Sequence, residues 1–567
     1  MTEKADYLNP GKETPAAARI RNQNHHTDEF ILLGYNHGIY YYLPRGSRQV
    51  VALKARAHVE AELIDIAPKK FWDKHYGNGD GHANWKLAQD DLIRRQQIVG
   101  LYDPSRIRGR GAWWEDGHSI VHIGNKLIIE GKEYPLNHAK ENIYEIGLPF
   151  HINYKNPLSI GRARKLLDLC DMVSWEKPIN AKYLAGWIAL APICGALDWR
   201  PHIWLTGPSC CGKTTIVNEV VKRILASVTV GTQSGATEAA IRQSLNSDAR
   251  PVIYDEAETK EPESYARMKS ILRLVRASST KGAAPITKGG ADGIPSYWYI
   301  NSMFLFSSIS YCVSSPEDAR RITPLAIIKD GNIERYARLV ALIGDTLTES
   351  WVSGLMARSI KMIPVIRANS HVFGGAVSAH LTDRGAGDQI GPLLAGAWSL
   401  YSDSVISAED AAKWIKDQEQ KGAWTEHKAQ IEDTDEAQCL ARLMQHVLRV
   451  QVKYGVVDRS IAELLEIATS KREDSSVSTK DAIDVAGRHG FRADEQGILV
   501  SVSHAGIAAI LRDTPWARNW ARTLRRLPKA HATDWGIRFG AVKTRGIEIP
   551  WSLDDTDSAS TRQITIS

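Results

Sequence analysis

Eight consecutive residues carry the chemistry most plainly. Gly207, Pro208, Ser209, Cys210, Cys211, Gly212, Lys213 and Thr214 have the spacing of a phosphate-binding loop: two glycines with four residues between them, then a lysine and a hydroxyl. Lys213 is placed to reach the β- and γ-phosphates of a nucleoside triphosphate, and the Thr214 hydroxyl to ligate Mg²⁺. Thr215 follows as a second hydroxyl at the start of the next element. About forty residues on, Arg250-Pro-Val-Ile-Tyr-Asp-Glu256 is a short apolar run closed by two carboxylates. Asp255 can enter the Mg²⁺ shell, and Glu256 can orient and polarise an attacking water. The pair would otherwise read as a solvated strand end. Downstream of a phosphate loop it points to hydrolysis of ATP with Mg²⁺.

The elements around these residues must hold them in place. Ile203-Trp-Leu205 before the loop reads as a buried strand, and the apolar positions of 215–225 recur with helical spacing. Strand, loop and helix start together direct backbone N–H groups and the positive helix end at phosphate. Thiols at positions 210 and 211 raise the idea of inhibition by oxidation or alkylation, but they read more simply as two small residues tolerated in the loop.

At 567 residues the chain is long enough for about three or four domains. Its 43% apolar and 24% charged residues are those of an ordinary globular protein, and its net charge of +6 allows nucleic acid as a partner without requiring it. Six cysteines, adjacent only at 210–211, argue against a disulfide framework and for a reducing, cytoplasmic setting. No apolar run approaches the roughly 18 residues of a membrane span, and the N-terminus lacks a signal-peptide core. A flexible tail is expected over 1–27, an α+β domain over 28–155, and a P-loop core with a parallel sheet over 156–330. A helical lid over 331–430, a winged-helix-like domain over 431–553 and a disordered tail over 554–567 complete a multidomain α/β fold. In the lid, helices are expected at 333–347, 351–366, 388–400 and 408–420. In the last domain they are expected at 434–454, 459–469, 478–489, 503–512 and 516–527, with Ile537-Arg-Phe-Gly and Gly546-Ile-Glu-Ile-Pro550 as a two-stranded wing.

Several segments occur in a familiar order: the phosphate loop, Gly235-Ala-Thr-Glu-Ala-Ala-Ile-Arg-Gln243, Asp255-Glu256, Met303-Phe-Leu-Phe-Ser-Ser308 and Asp318-Ala-Arg-Arg-Ile-Thr323. With Asp388-Gln-Ile-Gly-Pro-Leu-Leu-Ala-Gly-Ala-Trp398, Phe539-Gly-Ala-Val-Lys-Thr-Arg545 and Tyr102-Asp-Pro-Ser-Arg-Ile-Arg-Gly-Arg-Gly111, they resemble the AAA+ helicase half of phage and integrated-element primase-helicases, related to superfamily three helicases. The resemblance implies a homo-oligomeric ring, a hexamer by that likeness, translocating on single-stranded or forked DNA. It implies that Arg321 or Arg320 acts on a neighbouring subunit's nucleotide, against a plain reading of each as a surface ion-pair partner. Ser308 stands where related helicases often carry an asparagine that senses the γ-phosphate, so it reads either as a sensor or as a strand-end hydroxyl.

The segment 280–300 reads as strand, glycine-rich turn and strand. By the resemblance it is a pore hairpin bringing Lys288, with Lys281, to the phosphate backbone; otherwise Lys288 is a solvated lysine on a surface hairpin. Arg518, Arg522, Arg525, Arg526, Arg538, Lys543 and Arg545, interleaved with Trp516 and Trp520, suit DNA contact or protein contact. Arg106-Ile-Arg-Gly-Arg110 reads as a solvated loop in preference to a nucleic-acid contact. No C-x-x-C cluster or paired-carboxylate motif of a primase precedes residue 150, so no primer synthesis is expected of this chain, and a separate primase or replication protein is a candidate partner. The first expectation is an ATP-dependent DNA helicase for a phage, prophage or plasmid-like element. An ATPase switch in an anti-phage or mobile-element complex, and an ATP-gated initiator binding an origin through its winged helix, are the alternatives.

Overall fold

The computed structural model describes residues 27–138, 141–150, 152–232, 235–257, 262–289, 295–313, 315–424, 434–453 and 455–551. The tails expected at 1–27 and 554–567 lie outside these residues except for Thr27, whose Oγ1 accepts the Phe30 N–H at 2.9 Å. The chain divides into two compact units, Met1–Ala423 and Trp424–Ser567, a break seven residues earlier than the expected one at 430.

The first unit begins with an antiparallel meander, Phe30–Asn36, Ile39–Pro44 and Val51–Lys54. The helix Trp85–Val99 packs on it through Ala88 and Leu92, in a core with Phe30, Leu32, Tyr42 and Trp72. Buried Gln96 ties helix to sheet, accepting from Gly34 N and donating to the Tyr41 carbonyl, each at 2.7 Å. A four-stranded antiparallel sheet follows: Gly111–Glu115, His118–His122, Leu127–Ile129 and Lys132–Tyr134. Of the arginine run between the two sheets, Arg106 is exposed as a solvated loop would have it, whereas Arg108 and Arg110 are partnered. Arg108 Nε donates to Glu115 at 2.9 Å, and Arg110 pairs with Asp248 at 2.6 Å while lying 4.9 Å over the Phe150 ring. These arginines are internal ties, since half-buried guanidinium groups need partners.

Five parallel strands form the centre of the unit. Their spatial order is Val230–Thr232, Val252–Tyr254, Phe304–Ser307, His202–Thr206, Ile322–Ala326. His202–Thr206 is buried throughout, the continuous pattern of a strand covered on both faces. Trp204 stacks on Phe306 of the next strand with ring centroids 4.8 Å apart. The strands Ile286–Gly289 and Pro295–Trp298 pair antiparallel as the expected hairpin; its turn lies outside the described residues.

Helices Ile333–Thr346, Glu349–Lys361, Ile363–Leu381, Arg384–Trp398 and Ala408–Glu419 complete the unit. No helix is expected over 367–387, yet helices fill most of this stretch, and glycines lie at 374, 375, 387 and 391. Gly374, Gly387 and Gly391 mark a close crossing: a Cβ at Gly391 would stand 2.7 Å from the Gly374 nitrogen and one at Gly387 would clash with the Gly374 carbonyl oxygen, so only glycine lets these two backbones meet.

In the second unit the helix Asp435–Met444 stops ten residues short of the expected 454. Val447–Val452 is a strand paired with Gly455–Ser460. Its alternation of exposed Val447 and Arg449 with buried Leu448 and Val450 is a period of two, which the helical reading overlooked. Helices Ile461–Ala468 and Thr479–Arg488 stand as expected, whereas the helix expected at 516–527 is regular only over Trp520–Leu524. The expected wing is paired differently. Ile537–Phe539 pairs with Val542–Thr544, and Gly546–Pro550 pairs with Gly497–Ser501 inside a four-stranded antiparallel sheet.

Candidate functional site

The phosphate loop joins the buried strand His202–Thr206 to a helix running over 213–225, whose middle turns, Ile216–Lys222, are π-helical. Gly207 has φ 151°, and a Cβ there would meet the Ile327 carbonyl at 2.5 Å and Cys211 Sγ at 2.8 Å. Gly212 has φ 94° and turns the chain into the helix. Both positions therefore require glycine.

Parallel pairing brings the rest of the site to this loop. Phe304–Ser307 lies between the loop strand and the acidic strand, with Leu205 opposite Ser307 and Tyr254 opposite Phe306. Beyond the strand ends, Ala257 N donates to the Ser307 carbonyl at 2.8 Å and Ser308 N to the Leu205 carbonyl at 3.1 Å. The C-terminal ends of the three strands thus open together, where parallel sheets hold ligands.

The result is a cleft of about 660 Å³. Ser209, Cys210, Cys211, Gly212, Lys213, Thr214, Thr215, Asp255, Glu256 and Ser308 line it, while Gly207 and Pro208 are not among its lining residues. Cys210 and Glu256 have left-handed backbones, φ 61° and 55°. Strain of about 1–3 kcal/mol at such positions is concentrated at functional sites. Lys213 Nζ donates to the Gly207 carbonyl and, at 3.0 Å, to the Pro208 carbonyl, with Cys211 Sγ 3.9 Å away. Its ammonium therefore covers the loop's own acceptors, which are the groups a phosphate would displace it from.

Ser308 is more engaged than the sequence implies. Its hydroxyl donates to the Ser310 carbonyl at 2.6 Å and accepts from the Trp204 indole N–H at 2.7 Å. That fixes the turn after the strand and leaves the hydroxyl hydrogen committed. Beneath it, His202 accepts the Phe304 N–H at Nδ1, so its proton sits on Nε2, 3.0 Å from Ser279 Oγ. Burial, with nearby Arg200 and Arg321, pulls the His202 pKa down to about 3.

The sequence reading missed three contributors. Lys222, on the helix after the loop, places its ammonium 3.3 Å from Asp255 Oδ2, while Asp255 Oδ1 accepts the Glu256 N–H at 3.1 Å. Tyr336 on the helix Ile333–Thr346 meets Thr215, hydroxyl to hydroxyl, at 3.2 Å. Met172, Val173, Ile328, Ile333 and Leu339 form an apolar wall. Ile333 and Tyr336 remain 82% and 49% exposed although their spacing is that of a packed helix face. An apolar stripe at the start of the first helix beyond the sheet was the available signal.

The residues present fit a nucleoside triphosphate with a divalent cation. The loop supplies backbone donors, an ammonium and three hydroxyls, and Lys222 already stands as a cation beside Asp255. Among the described residues no cluster of three or more Asp, Glu, His or Cys could hold a metal by itself. One carboxylate and one hydroxyl suit Mg²⁺, which takes its remaining ligands from phosphate and water.

Other expected site residues lie elsewhere. Arg320 is exposed, and Arg321 donates to the Glu317 carbonyl at 2.6 Å and lies 5.9 Å over Trp199; neither lines the cleft of its own chain. Lys288 is on the hairpin and pairs loosely with Glu238 at 3.6 Å. Lys281 is not on the hairpin: it precedes the strand and donates to the Trp114 carbonyl at 3.2 Å, and burial lowers its pKa. Lys543 and Arg545 are both exposed in the second unit.

Fold and site together define a multidomain α/β protein with a phosphate-loop cleft at the open ends of a parallel sheet. No helix among the described residues is long and apolar enough to cross a membrane. No protein-family model and no curated protein matches the chain. Among solved structures it is similar to one described as an active helicase, SCCmec type IV Cch. The two are 11% identical, with 92% of this chain and 93% of that chain covered, at a TM-score of 0.43.

Proposed function

We propose that this chain is an ATP-dependent DNA helicase of the AAA+ kind, ring-forming and replicative, serving a phage, prophage or plasmid-like element and making no primers itself. The observation that carries the reading is the convergence of residues 209–215, Asp255, Glu256 and Ser308 on one cleft. In this reading Lys213 and the loop amides hold the phosphates, and Thr214 and Asp255 hold Mg²⁺. Glu256 holds and polarises the water that attacks the γ-phosphate. Bound Mg²⁺ supplies charge neutralisation across the β- and γ-phosphates. The apolar wall from Met172 to Leu339 receives the nucleoside.

Neither Arg320 nor Arg321 reaches its own cleft, which is the arrangement an arginine acting on a neighbouring subunit requires. Lys288, half-exposed and weakly paired, is the hairpin residue available to a DNA backbone. Lys543 and Arg545 supply a second contact.

Unwinding of a labelled forked duplex by the full chain with ATP and Mg²⁺ tests the proposal. Strand release that needs ATP and is lost in Lys213→Ala is expected. ATP hydrolysis without strand release from any fork, 5′- or 3′-tailed, would reject the helicase reading and leave an ATPase switch.

A further inference from the structure

Of the seventeen tryptophans in the chain, only Trp535 is exposed among the described residues, at 70%. Its backbone is nonetheless held. Buried Thr533 donates through Oγ1 to the Trp535 carbonyl at 2.9 Å, and its main chain and hydroxyl exchange bonds with Gly546 at 2.9 and 3.0 Å. An indole left in water on a pinned backbone forgoes about 1.5–3 kcal/mol of burial that a large apolar side chain would otherwise gain.

The neighbouring hairpin adds charge. Phe539 is fully buried and anchors the hairpin Ile537–Phe539/Val542–Thr544. Arg538 and Lys543 stand directly opposite each other across it, both exposed. Like charges in that relation destabilise a hairpin. Arg492 joins them, donating to the Arg538 carbonyl at 3.4 Å. The ion pairs of this unit use Arg449, Arg459, Arg472, Arg526 and His531; Arg492, Arg538 and Lys543 enter none among the described residues. The stem of Lys543 lies across Gly536, whose Cβ position is 3.3 Å from Lys543 Cε, next in sequence to the indole. Asp534 is the adjoining exposed carboxylate and pairs with none of these cations.

We propose that Trp535, with Arg492, Arg538 and Lys543, forms a site for single-stranded nucleic acid, one base stacking on the indole and the adjoining phosphates lying on the cations. The proposal deepens the DNA contact assigned above to Lys543 and rests on it, but not on the ATPase cleft. Three unpaired cations beside an open π-face match the two features of an unpaired strand, a regular line of phosphates and accessible base faces. A duplex offers only the first, and an acidic protein segment lacks the second.

Binding of a fluorescein-labelled oligothymidylate to the full chain, read by anisotropy over a series of salt concentrations, tests it. Trp535→Ala is expected to weaken binding about 5- to 150-fold, the span of 1–3 kcal/mol per stacked base, with the salt slope unchanged. Trp535→Phe should restore most of the loss. Arg538→Ala/Lys543→Ala should instead flatten the slope of log K against log salt by about 1.4, two phosphate contacts at about 0.7 each.

Wild-type affinity in Trp535→Ala, with weakened binding in the double variant, would overturn the stacking site and leave the DNA contact standing. Wild-type affinity in both would remove both. Equal losses on blunt duplex, or polyglutamate competing as well as oligothymidylate, would also overturn it. ATP hydrolysis without DNA should be unchanged in Trp535→Ala and Trp535→Phe, which separates this site from the cleft.

Discussion

Lys222 Nζ stands 3.3 Å from Asp255 Oδ2, so the carboxylate expected to hold Mg²⁺ already has a cation beside it. The two side chains are 38% and 26% exposed, so solvent screens the pair and its worth falls to that of a surface ion pair, about 0.2–1 kcal/mol. Lys222→Met should therefore lower the Mg²⁺ concentration giving half-maximal ATP hydrolysis by about 1.4- to fivefold. A Mg²⁺ titration of the rate measures this, and an unchanged midpoint would mean that Lys222 does not compete with the metal.

Glu256 and Lys213 should separate binding from chemistry. Glu256→Gln keeps the size of the side chain and removes the base, so ATP hydrolysis should fall about 10²–10⁴-fold while nucleotide binding persists. Lys213→Ala should lose both. Equilibrium binding of a fluorescent ATP analogue, set beside the hydrolysis rate, distinguishes the two variants. Comparable hydrolysis by wild type and Glu256→Gln would require another group to position the water.

The strands and helix around this site were legible because burial and period are local signals: Ile203-Trp-Leu205 is apolar throughout, and 215–225 repeats with helical spacing. The meeting of Asp255 with the loop was legible only through the motif, because it depends on which strands become neighbours. The apolar wall was not legible. Met172 and Tyr336 are 164 residues apart and meet only once the chain has folded, and each reads locally as an ordinary core position. Lys222 escaped because a lysine on a helix carries no sign of what it faces. In the second unit the hairpin 447–460 was lost to a helical reading of six residues whose alternation was plain, and the wing was lost because pairing partners cannot be read from strands alone.

Lys288 gives a prediction about coupling. Its pairing with Glu238 at 3.6 Å, with the lysine 53% exposed, is a contact of about 0–1 kcal/mol that a phosphate can replace. Lys288→Ala should leave hydrolysis without DNA within about twofold of wild type, since the pair it breaks is weak. Its unwinding of a forked duplex should fall steeply. Unwinding at the wild-type rate would make Lys288 a solvated lysine on a surface hairpin.

His202 predicts a pH dependence. Its folded pKa is pulled down to about 3 by burial, so the unfolded chain takes up this proton first as pH falls from about 6.5. The group's contribution is complete above pH 6.5 and is lost as pH falls toward the folded value. Between pH 7 and pH 5 it removes about 2 kcal/mol of stability. Denaturation of wild type and His202→Asn at both pH values isolates this share: the variant should be less stable at pH 7 and lose less on acidification. Parallel pH dependence in the two proteins would show that His202 does not carry it.

The most direct test of the central claim is the steady-state ATP hydrolysis rate of the full chain with and without single-stranded DNA, with Lys213→Ala as the blank. Hydrolysis that DNA stimulates severalfold and that Lys213→Ala abolishes is the predicted result. A robust rate indifferent to DNA, or one that survives Lys213→Ala, would contradict a motor driven from this cleft.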